Sequence, residues 1–397
     1  MIYTTPNSGT GSILGTSPEE IDTPRQGSDR FLLTAVIVLM IFGVLAVYSS
    51  IAWFAETRGT TAGTLVTGHL VKLAIAMVVM LIASKIDYHL VARYSRAAVI
   101  ISWVLLVAVL IYGEVVFGAR RSLTIGGISF QPSSVAIVSL LVHVAVLLHE
   151  KQEYIKDFKR SFLPILFWVM PTFFLIGMED FSSAVLLLAI CLILMFIGRI
   201  STVQIATFVL IGAIGAGALL SSSDERQSRV QEYVGQITQI NSSSFEPGAG
   251  YQAQQSYIAI AQGKLFGVGI GKSTQRDFLP APYNDFIYSI IAEEYGLAGA
   301  GMILLLFLFI LLRGVVHIAR NAPDNLGILL ATACTLTIAL YGFVNAAVAC
   351  GLLPVTGLPM PFVSYGGTSM LFTALMVGIL LNISKHNKNR NSTFYYG

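Results

Sequence analysis

Long apolar stretches alternate with short polar segments along most of this chain. An apolar helix needs about 20 residues to cross the roughly 30 Å hydrocarbon core of a bilayer. By that criterion the pattern contains ten candidate membrane spans. They cover residues 31–53, 65–84, 97–117, 133–149, 161–178, 182–198, 202–221, 285–312, 326–350 and 367–384. The pattern therefore predicts an all-α polytopic membrane protein with about ten transmembrane helices. The eighth span is longer than one perpendicular crossing needs, so we expect it to tilt or to begin outside the membrane.

Composition supports the membrane class and excludes others. Hydrophobic residues make up 55% of the 397 residues and charged residues 11%, whereas soluble domains carry about 25% charged residues. A net charge of +3 without a basic stripe does not indicate a nucleic-acid-binding protein. Cys191, Cys334 and Cys350 all lie in or beside apolar segments. Their odd number and spacing predict small buried apolar residues rather than a disulfide framework or a metal site.

The distribution of basic residues predicts the orientation. Fifteen of the 24 Lys and Arg residues lie in one alternate set of polar segments and eight in the other, while Lys72 lies within a span. The richer side is expected to face the cytoplasm, which places both termini inside. Residues 1–30 are then a disordered cytoplasmic tail without a cleaved signal peptide. Residues 31–384 form one membrane domain, and residues 385–397 form a second cytoplasmic tail.

The longest polar segment, residues 222–284, becomes a large extracytoplasmic loop between the seventh and eighth spans. Val230, Val234 and Ile237 follow helical spacing, which predicts a short amphipathic helix on the outer surface. Packing and guidance of a substrate both remain open as its role. The glycine-rich stretch 263–272 has no strand–loop–helix context, so its glycines indicate tight turns rather than a nucleotide site.

Asp285 stands where this loop enters the eighth span. Ionisable groups at the mouth of a membrane span are costly to desolvate and are usually functional. The later stretch 351–369 holds several prolines and glycines, which prevent a regular helix. Because this stretch is still apolar, it should be buried in protein or line a cavity. We expect it to form the wall of an outward-facing crevice next to Asp285.

Several motifs in this order resemble the SEDS family of bacterial cell-wall assembly, which comprises FtsW, RodA and SpoVE. The resemblance extends over nearly all ten spans. It rests on segments 47–50, 118–121, 130–133, 250–256, 266–271, 278–296 and 351–369. The segments Tyr283–Tyr288 and Glu293–Gly296 look more like the division-type FtsW members than the elongation-type RodA members.

The resemblance implies a peptidoglycan glycosyltransferase that polymerises lipid II in the bacterial cytoplasmic membrane for septal wall synthesis. The aspartate at the position of Asp285 would be its general base. The reaction would be an inverting displacement with undecaprenyl diphosphate as the leaving group. The resemblance also implies a class B penicillin-binding protein as a transpeptidase partner and contacts with other division proteins. For the cofactor it leaves two alternatives open, none at all or a divalent cation, Mg or Mn. No metal ligand cluster is readable in the sequence.

Candidate substrate contacts complete the predicted site. A lipid-linked diphosphate needs cations at the outer face, and arginine suits phosphate well. The candidate substrate-binding residues are Arg120, Arg121, Lys264, Lys272, Arg276, Lys72 and Ser364. For each outer cation alone, anchoring or loop packing is an equally good interpretation. For Lys72, pairing with an acid of the eighth span is the alternative.

Other polar residues near the predicted site have simpler interpretations. Asp277 is an alternative base. Glu293 and Glu294 lie about 12–13 Å further along the helix than Asp285 and on other faces of it, so we expect structural contacts from them. We interpret His69 as a satisfied polar residue. Asn345 is expected to form an interhelical hydrogen bond.

The chain departs from the family pattern at a few positions. Where relatives carry a glutamate and a lysine in the fourth span, this chain has Ser134 and Ile137. Ser122, Glu179, Ser182 and Asn284 are further departures, while Asp180 is retained. Two other classes of function stay open, a lipid II flippase or transporter and a non-catalytic scaffold that recruits the transpeptidase. An elongation-type polymerase that controls cell shape is the alternative within the family.

Overall fold

The structure, a computed structural model, describes residues 28–51, 61–116, 119–125, 128–238, 249–279 and 282–386. The helices in these ranges are α1 (Arg30–Ser50), α2 (Ala62–Ala83), α3 (Tyr88–Arg93), α4 (Ser95–Tyr112), α5 (Pro132–Glu150), α6 (Leu163–Glu179), α7 (Phe181–Ile197), α8 (Thr202–Ser221), α9 (Asp224–Thr238), α10 (Ala249–Gly263), α11 (Ile287–Leu312), α12 (Asn325–Ala349) and α13 (Thr368–Lys385). Helix α3 has 6 residues and is too short to span a membrane, and α9 and α10 lie in the long loop.

The ten predicted spans correspond to α1, α2, α4, α5, α6, α7, α8, α11, α12 and α13. Within the described ranges, nine helices are long and apolar enough to cross a membrane, and α7 is a shorter apolar helix. The chain is therefore a multi-pass helical membrane protein, as predicted. Residues 1–27 and 387–397 lie outside the described residues, so the predictions for the two tails concern segments that are almost wholly outside the structure.

A small antiparallel sheet follows α4 and was not predicted. Its strands are β1 (Glu114–Val116), β2 (Ala119–Ile125) and β3 (Ile128–Phe130), in the order β1-β2-β3. The predicted third span, 97–117, ends early because Gly113 adopts an extended conformation. Short apolar runs with β-branched residues fit either a helix end or a strand, and pairing with β2 decides between them.

Polar side chains define where several helices begin, which explains how very short connections work. Asp180 is the only residue between α6 and α7. Its carboxylate accepts a hydrogen bond from the Ser183 backbone N–H at 3.1 Å and another from the Ser183 hydroxyl at 2.7 Å. An N-cap carboxylate satisfies main-chain donors that a helix start leaves open. The chain can thus reverse direction within one residue.

Helices α5, α12 and α13 are the most buried spans, whereas α2, α4 and α8 keep most of their surface exposed. The peripheral α2 packs closely on α13. A Cβ at Gly378 would overlap Ala83 and the Met80 carbonyl. Small residues allow this approach in a membrane, where close packing replaces the hydrophobic effect.

Helix α11 is broken at Gly296, whose φ is 68° and ψ is −169°. Before the break, the carbonyls of Glu293 and Glu294 accept hydrogen bonds from the backbone of residues 268 and 269. After it, the N–H groups of residues 297 and 298 donate to the carbonyls of Lys264 and Leu265. The glycine-rich stretch therefore supplies the hydrogen bonds that the break removes from the helix. The unusual length of the predicted eighth span reflects this break.

The outer loop and the cysteines refine two further predictions. Helix α9 confirms the predicted amphipathic helix, although Val234 on its apolar stripe is exposed. Cys191 and Cys334 are buried as predicted. Cys350 is exposed, so its prediction as a buried residue is wrong. It lies at the C-cap of α12, where the chain leaves the packed helices for the outer wall.

Candidate functional site

Asp285 lies in a loop that is held through its main chain. The carbonyl of Tyr283 accepts a hydrogen bond from the Tyr365 N–H at 2.8 Å. The next carbonyl, of Asn284, accepts from the Ser364 hydroxyl at 2.7 Å. The carbonyl of Asp285 itself accepts from the Asn345 side chain at 2.9 Å. Three consecutive carbonyls are thus fixed from α12 and from the stretch after it. Fixing the main chain limits where the carboxylate of Asp285 can move.

Residues 351–369 form the predicted wall next to Asp285. Asn345 also donates to the Leu358 carbonyl at 2.8 Å, so one buried amide joins the Asp285 loop to the wall. Both acceptors lie in non-helical segments, so the expected interhelical hydrogen bond is wrong, and Asn345 instead joins its helix to two loops. The Ser364 hydroxyl accepts from the Met360 N–H at 2.8 Å while it donates to Asn284. Ser364 is buried and organises main chain on both sides; its predicted contact with substrate stays a prediction.

Lys72 of α2 contacts Tyr365 of the wall, whose N–H is bonded to the Asp285 loop. Its ammonium lies 3.4 Å from the Tyr365 hydroxyl and 4.5 Å from the centre of the Tyr365 ring. That ring also packs edge-on against Tyr283. The cation is therefore placed beside the loop that carries Asp285, and the alternative of pairing with Glu293 or Glu294 is not what the structure shows. Lys72 stays a candidate substrate contact.

His69 stacks on Tyr365 with ring centres 5.4 Å apart. It is fully buried, yet neither ring nitrogen has a hydrogen-bond partner among the described residues. The interpretation of His69 as a satisfied polar residue is therefore wrong. Only the packing of α2 against residue 365 reveals this, because the sequence contains no signal of it.

Glu293 and Glu294 have structural roles, as expected. Glu293 accepts hydrogen bonds from the Ser273 hydroxyl and from the Thr274 N–H, the latter at 2.9 Å. Glu294 accepts from the Ser49 hydroxyl of α1 and from the Ser273 N–H. The two buried carboxylates thus bind the outer loop to α11 and to α1 rather than pointing at the Asp285 loop.

The remaining predicted cations lie around this junction or on the sheet. Arg276 donates to the Ser49 carbonyl at 2.9 Å and lies 3.5 Å from the Asp277 carboxylate. That contact gives Asp277, the alternative base, a partner in the loop. Lys264 and Lys272 are exposed. Arg120 and Arg121 lie on β2, and their side chains are outside the described part. Substrate contacts from these five residues stay predictions; among the candidates whose side chains the structure describes, Lys72 and Ser364 lie beside the Asp285 loop.

A cavity of about 620 Å³ opens at the outer ends of α6, α7 and α9. Its polar side carries Glu179, Asp180, Arg226 and Arg229, and its apolar side includes Leu186. Leu358 of the wall also lines it, and Asp285 is not among its lining residues. A charged rim over an apolar floor suits an amphipathic, lipid-linked ligand.

Arg226 and Arg229 were not among the predicted site residues. Arg226 donates to the Met178 carbonyl at 2.7 Å and to the Leu219 carbonyl at 3.0 Å. It therefore closes the C-terminal ends of α6 and α8. Arg229 pairs with Glu225 at 2.6 Å. Their position directly after the seventh span is the signal in the sequence that could have identified them.

The departures Ser134 and Ile137 face the inner side of the wall. Together with Tyr341, Met360 and Ser364 they line a cavity of about 50 Å³. That volume holds a few water molecules and no sugar. Where relatives are expected to carry two charges, this chain therefore carries a small, largely apolar pocket behind Ser364.

The side chains that the structure describes around Asp285 do not form a recognisable metal-binding site. Among the residues that the structure describes, no three His, Cys, Asp or Glu side chains are grouped so that they could hold a metal ion. Asp285 alone is one carboxylate, and Mg²⁺ sites of this kind use one or two carboxylates together with substrate phosphates. The donor set does not fit a metal site built by the protein alone, and the Mg or Mn ion implied by the resemblance stays a prediction.

Comparison with known proteins identifies relatives that match about nine tenths of the chain. The family model described as a cell cycle protein, FtsW/RodA/SpoVE, matches residues 29–389. The chain is 34% identical over 373 residues to stage V sporulation protein E of Bacillus subtilis, covering 92% of this chain and 99% of that protein. It is 33% identical over 360 residues to a probable peptidoglycan glycosyltransferase FtsW of Trichlorobacter lovleyi, covering 90% and 93%.

Solved structures share the fold. One described as "Structural coordination of polymerization and crosslinking by a peptidoglycan synthase complex" superimposes with a TM-score of 0.70 and 21% identity, over 90% of this chain and 97% of that one. The rod shape determining protein RodA of Thermus thermophilus gives a TM-score of 0.66 and 22% identity, over 91% and 98%. These similarities concern the arrangement of the helices.

Proposed function

This chain belongs to the FtsW, RodA and SpoVE family of cell-cycle proteins, and we propose that it is a peptidoglycan glycosyltransferase that polymerises lipid II. The observation that carries the proposal is the Asp285 loop. Three hydrogen bonds fix its main chain, and Lys72 approaches it through Tyr365. A carboxylate held in place beside a cation at the outer end of a span suits base catalysis on a diphosphate-linked sugar.

In the proposed reaction the Asp285 carboxylate takes the proton from the 4-hydroxyl of the acceptor GlcNAc. The resulting oxygen forms a bond to the anomeric carbon of the donor MurNAc. The bond from that carbon to the diphosphate oxygen breaks, and undecaprenyl diphosphate leaves with the electron pair. Attack opposite the leaving group inverts the anomeric carbon. Diphosphate leaves without being protonated, so one carboxylate is sufficient, in contrast to the two of most glycosidases.

The positive charges on the outer face support the proposed binding of a diphosphate-linked substrate. Lys72 supplies a positive charge beside the loop that carries the base, and Arg276, Lys264 and Lys272 supply others on the outer loop. Arginine and lysine both stabilise phosphate oxygens. The 620 Å³ cavity adds an amphipathic space that is lined in part by the wall. A substrate with a lipid tail, a diphosphate and a sugar requires all three kinds of surface.

We also propose a cellular role for this activity. We assign the chain to septal wall synthesis during division, in the bacterial cytoplasmic membrane, together with a class B penicillin-binding protein that cross-links the glycan. The FtsW relatives at 30–33% identity support this role. The sporulation relative at 34% identity favours a second candidate, synthesis of the spore wall.

The central test is polymerisation of purified lipid II by the full chain, with and without its transpeptidase. We expect Asp285→Asn to lower the rate by at least about 100-fold, because loss of a general base typically costs 10² to 10⁴ in rate. Asp277→Asn is the matched control, since it removes a carboxylate of the same loop that is paired with Arg276. The control should keep its activity.

Either result of this assay is informative. Equal activity of Asp285→Asn and the unchanged chain would show that another group is the base. If neither forms glycan with the partner present, the flippase and scaffold alternatives take over, and lipid II translocation in liposomes decides between them.

In cells depleted of the chain, septation that returns with the unchanged chain and not with Asp285→Asn supports the division role. A defect confined to spores supports the second candidate.

A further inference from the structure

A second large cavity lies at the opposite end of the helices from Asp285. It has a volume of about 730 Å³ and is bounded by α3, α4, α5, α6 and the first turn of α12. It opens on the face that the distribution of basic residues assigns to the cytoplasm. None of the residues assigned to glycan synthesis lines it. We call it the inner cavity.

His143 of α5 lines the inner cavity with an unsatisfied nitrogen. Its side chain is 5% exposed, and its Nδ1 shares a hydrogen bond of 3.1 Å with the Ser95 hydroxyl. Its Nε2 has no hydrogen-bond partner in the part of the chain that the structure describes. Buried polar atoms in native proteins nearly always have a partner. A ligand in the cavity would supply the missing one.

Two arginines give the inner cavity a positive charge. Arg93 ends α3 and Arg96 lies in the first turn of α4, and both line the cavity. Among the described residues neither forms an ion pair within 4.0 Å with a carboxylate, although the exposed Glu150 also lies on the cavity wall. Two guanidinium groups against one carboxylate favour an anionic ligand, and arginine binds phosphate oxygens in a bidentate manner.

Trp168 of α6 contacts both Arg96 and His143. The guanidinium of Arg96 lies 5.9 Å from the centre of the Trp168 ring. The His143 ring lies 4.8 Å from the same ring and packs edge-on against it. The indole is nearly buried, so it is a fixed platform. An anion that contacts the arginine would therefore lie near the open nitrogen of the histidine.

The side of the inner cavity that faces the surrounding lipid is apolar. Phe167 of α6 lines it, and 60% of the Phe167 side chain is exposed. A soluble anion makes no use of such a surface, whereas an acyl chain does. Basic pockets between transmembrane helices at the cytoplasmic side are typical sites for anionic lipid headgroups.

We propose that the inner cavity binds the phosphate group of an anionic phospholipid, held by Arg93, Arg96 and His143. The acyl chains then lie along the exposed surface of α6 beside Phe167. The lipid connects the short α3 to α4, α5 and α6 at the membrane boundary. This role is separate from the glycosyltransferase chemistry and does not depend on it.

The test is native mass spectrometry of the full chain, titrated with phosphatidylglycerol and, separately, with phosphatidylcholine. We expect the unchanged chain to retain phosphatidylglycerol in preference. The double variant Arg93→Ala with Arg96→Ala should weaken retention at least about tenfold, since each basic residue near an anionic surface contributes about fivefold. The matched control is Lys159→Ala with Arg160→Ala, which removes two exposed basic residues of the same face that do not line the cavity.

A second variant separates binding from folding. The variant His143→Leu with Ser95→Ala replaces the unsatisfied nitrogen and both partners of the buried hydrogen bond by apolar groups, so the thermal midpoint in phosphatidylcholine should be retained. The rise in midpoint on addition of phosphatidylglycerol should be lost. If the control variant loses the lipid as strongly as the arginine variant does, binding reflects general surface charge and the proposal is wrong. Stabilisation by inorganic phosphate but not by phosphatidylglycerol would also overturn it and assign the cavity to a soluble phosphate.

Discussion

At the scale of single residues, the position of Asp285 depends on side chains that are distant in sequence. Asn345 and Ser364 are 60 and 80 residues away from the carbonyls that they bind. Both are buried, so their hydrogen bonds form in a poorly solvated environment, where an unmade bond is costly. The carboxylate can be recognised in the sequence as unusual, but these contacts are what hold its main chain.

Asn345→Ala tests this dependence. The substitution leaves the carbonyls of Asp285 and Leu358 without their donor. Each unsatisfied buried group costs about 1–3 kcal/mol, so we expect the free energy of unfolding to fall by about 2 kcal/mol or more. We also expect polymerisation to slow by about 10- to 100-fold, because small displacements of a catalytic group have effects of this size.

The control for Asn345→Ala is Asn321→Ala, which removes an exposed amide that donates to the His317 carbonyl at the other end of the molecule. Thermal unfolding in detergent and the lipid II assay measure both properties. An Asn345→Ala protein with unchanged activity and stability would show that the Asp285 loop is held by other contacts.

At the scale of elements, the break in α11 determines how the outer loop is attached. The backbone of residues 263–269 completes the hydrogen bonding on both sides of Gly296. Glu293 and Glu294 add side-chain contacts to residues 273 and 274 of the same loop. The loop is therefore part of the helix architecture at this point, and the glycines serve close backbone packing. A phosphate-binding role is not needed to explain them.

Gly267 and Gly271 provide a matched pair for testing this packing. Both have positive φ, 82° and 75°, so alanine at either position carries a backbone strain of about 1–2 kcal/mol. A Cβ at Gly267 would also overlap the Glu294 carbonyl, whereas nothing lies within 4 Å of a Cβ at Gly271. We expect Gly267→Ala to lower the free energy of unfolding by about 1–3 kcal/mol more than Gly271→Ala.

The thermal midpoints of the two purified variants measure this difference directly. Because the strain is common to both, their difference isolates the steric overlap with α11. Equal midpoints would mean that residues 263–269 can move away from the break without cost, and that the loop is not bound to α11 in the way described.

At the scale of the whole molecule, the two ends of the helical bundle differ in what joins the elements. On the face assigned to the cytoplasm, His89 lies 2.8 Å from the Asp87 carboxylate and 2.7 Å from that of Asp324. This contact joins α3 to the N-terminus of α12, which Asp324 caps. His386, beyond α13, acts electrostatically on Asp87.

The pKa values of this cluster predict a pH dependence of stability. Burial lowers the pKa of His89, but its hydrogen bonds to Asp87 and Asp324 outweigh burial and raise the pKa above 6.5. Burial raises the pKa values of Asp87 and Asp324, but backbone hydrogen bonds and His89 outweigh it and hold both below 3.8. The stabilisation should be complete between about pH 4 and 6.5. It is lost as the pH rises through the raised pKa of His89, and as the pH falls through the lowered pKa values of the carboxylates.

The measurement is the difference in thermal midpoint between the unchanged chain and His89→Gln from pH 5 to 9. We expect the difference to be largest near pH 5–6 and to shrink at higher pH, and to be modest throughout because the cluster is partly exposed. A difference that is independent of pH would show that His89 contributes by packing alone and not by charge.

The sequence alone determined the class of this protein and the order of its parts. Runs of about 20 apolar residues have few alternatives to spanning helices, because a bilayer leaves main-chain groups no other partner. All ten predicted spans therefore appear as helices in the described residues, and the motifs of the resemblance agree with the family match. Asp285 stood out for the same reason, since a carboxylate at a span end is costly.

Only the tertiary structure decided which distant groups meet. The sequence named Lys72 as a candidate site residue, but hydrophobicity does not encode which residue packs on Tyr365, so the contact between Lys72 and Tyr365 and the unsatisfied His69 were not predictable. The break at Gly296 depends on a loop that fills it, and the small sheet depends on pairing between strands. The inner cavity likewise exists only where α3, α4, α5, α6 and the first turn of α12 come together. Local patterns specify elements because their forces act over a few residues, whereas sites depend on contacts between elements that are far apart in the chain.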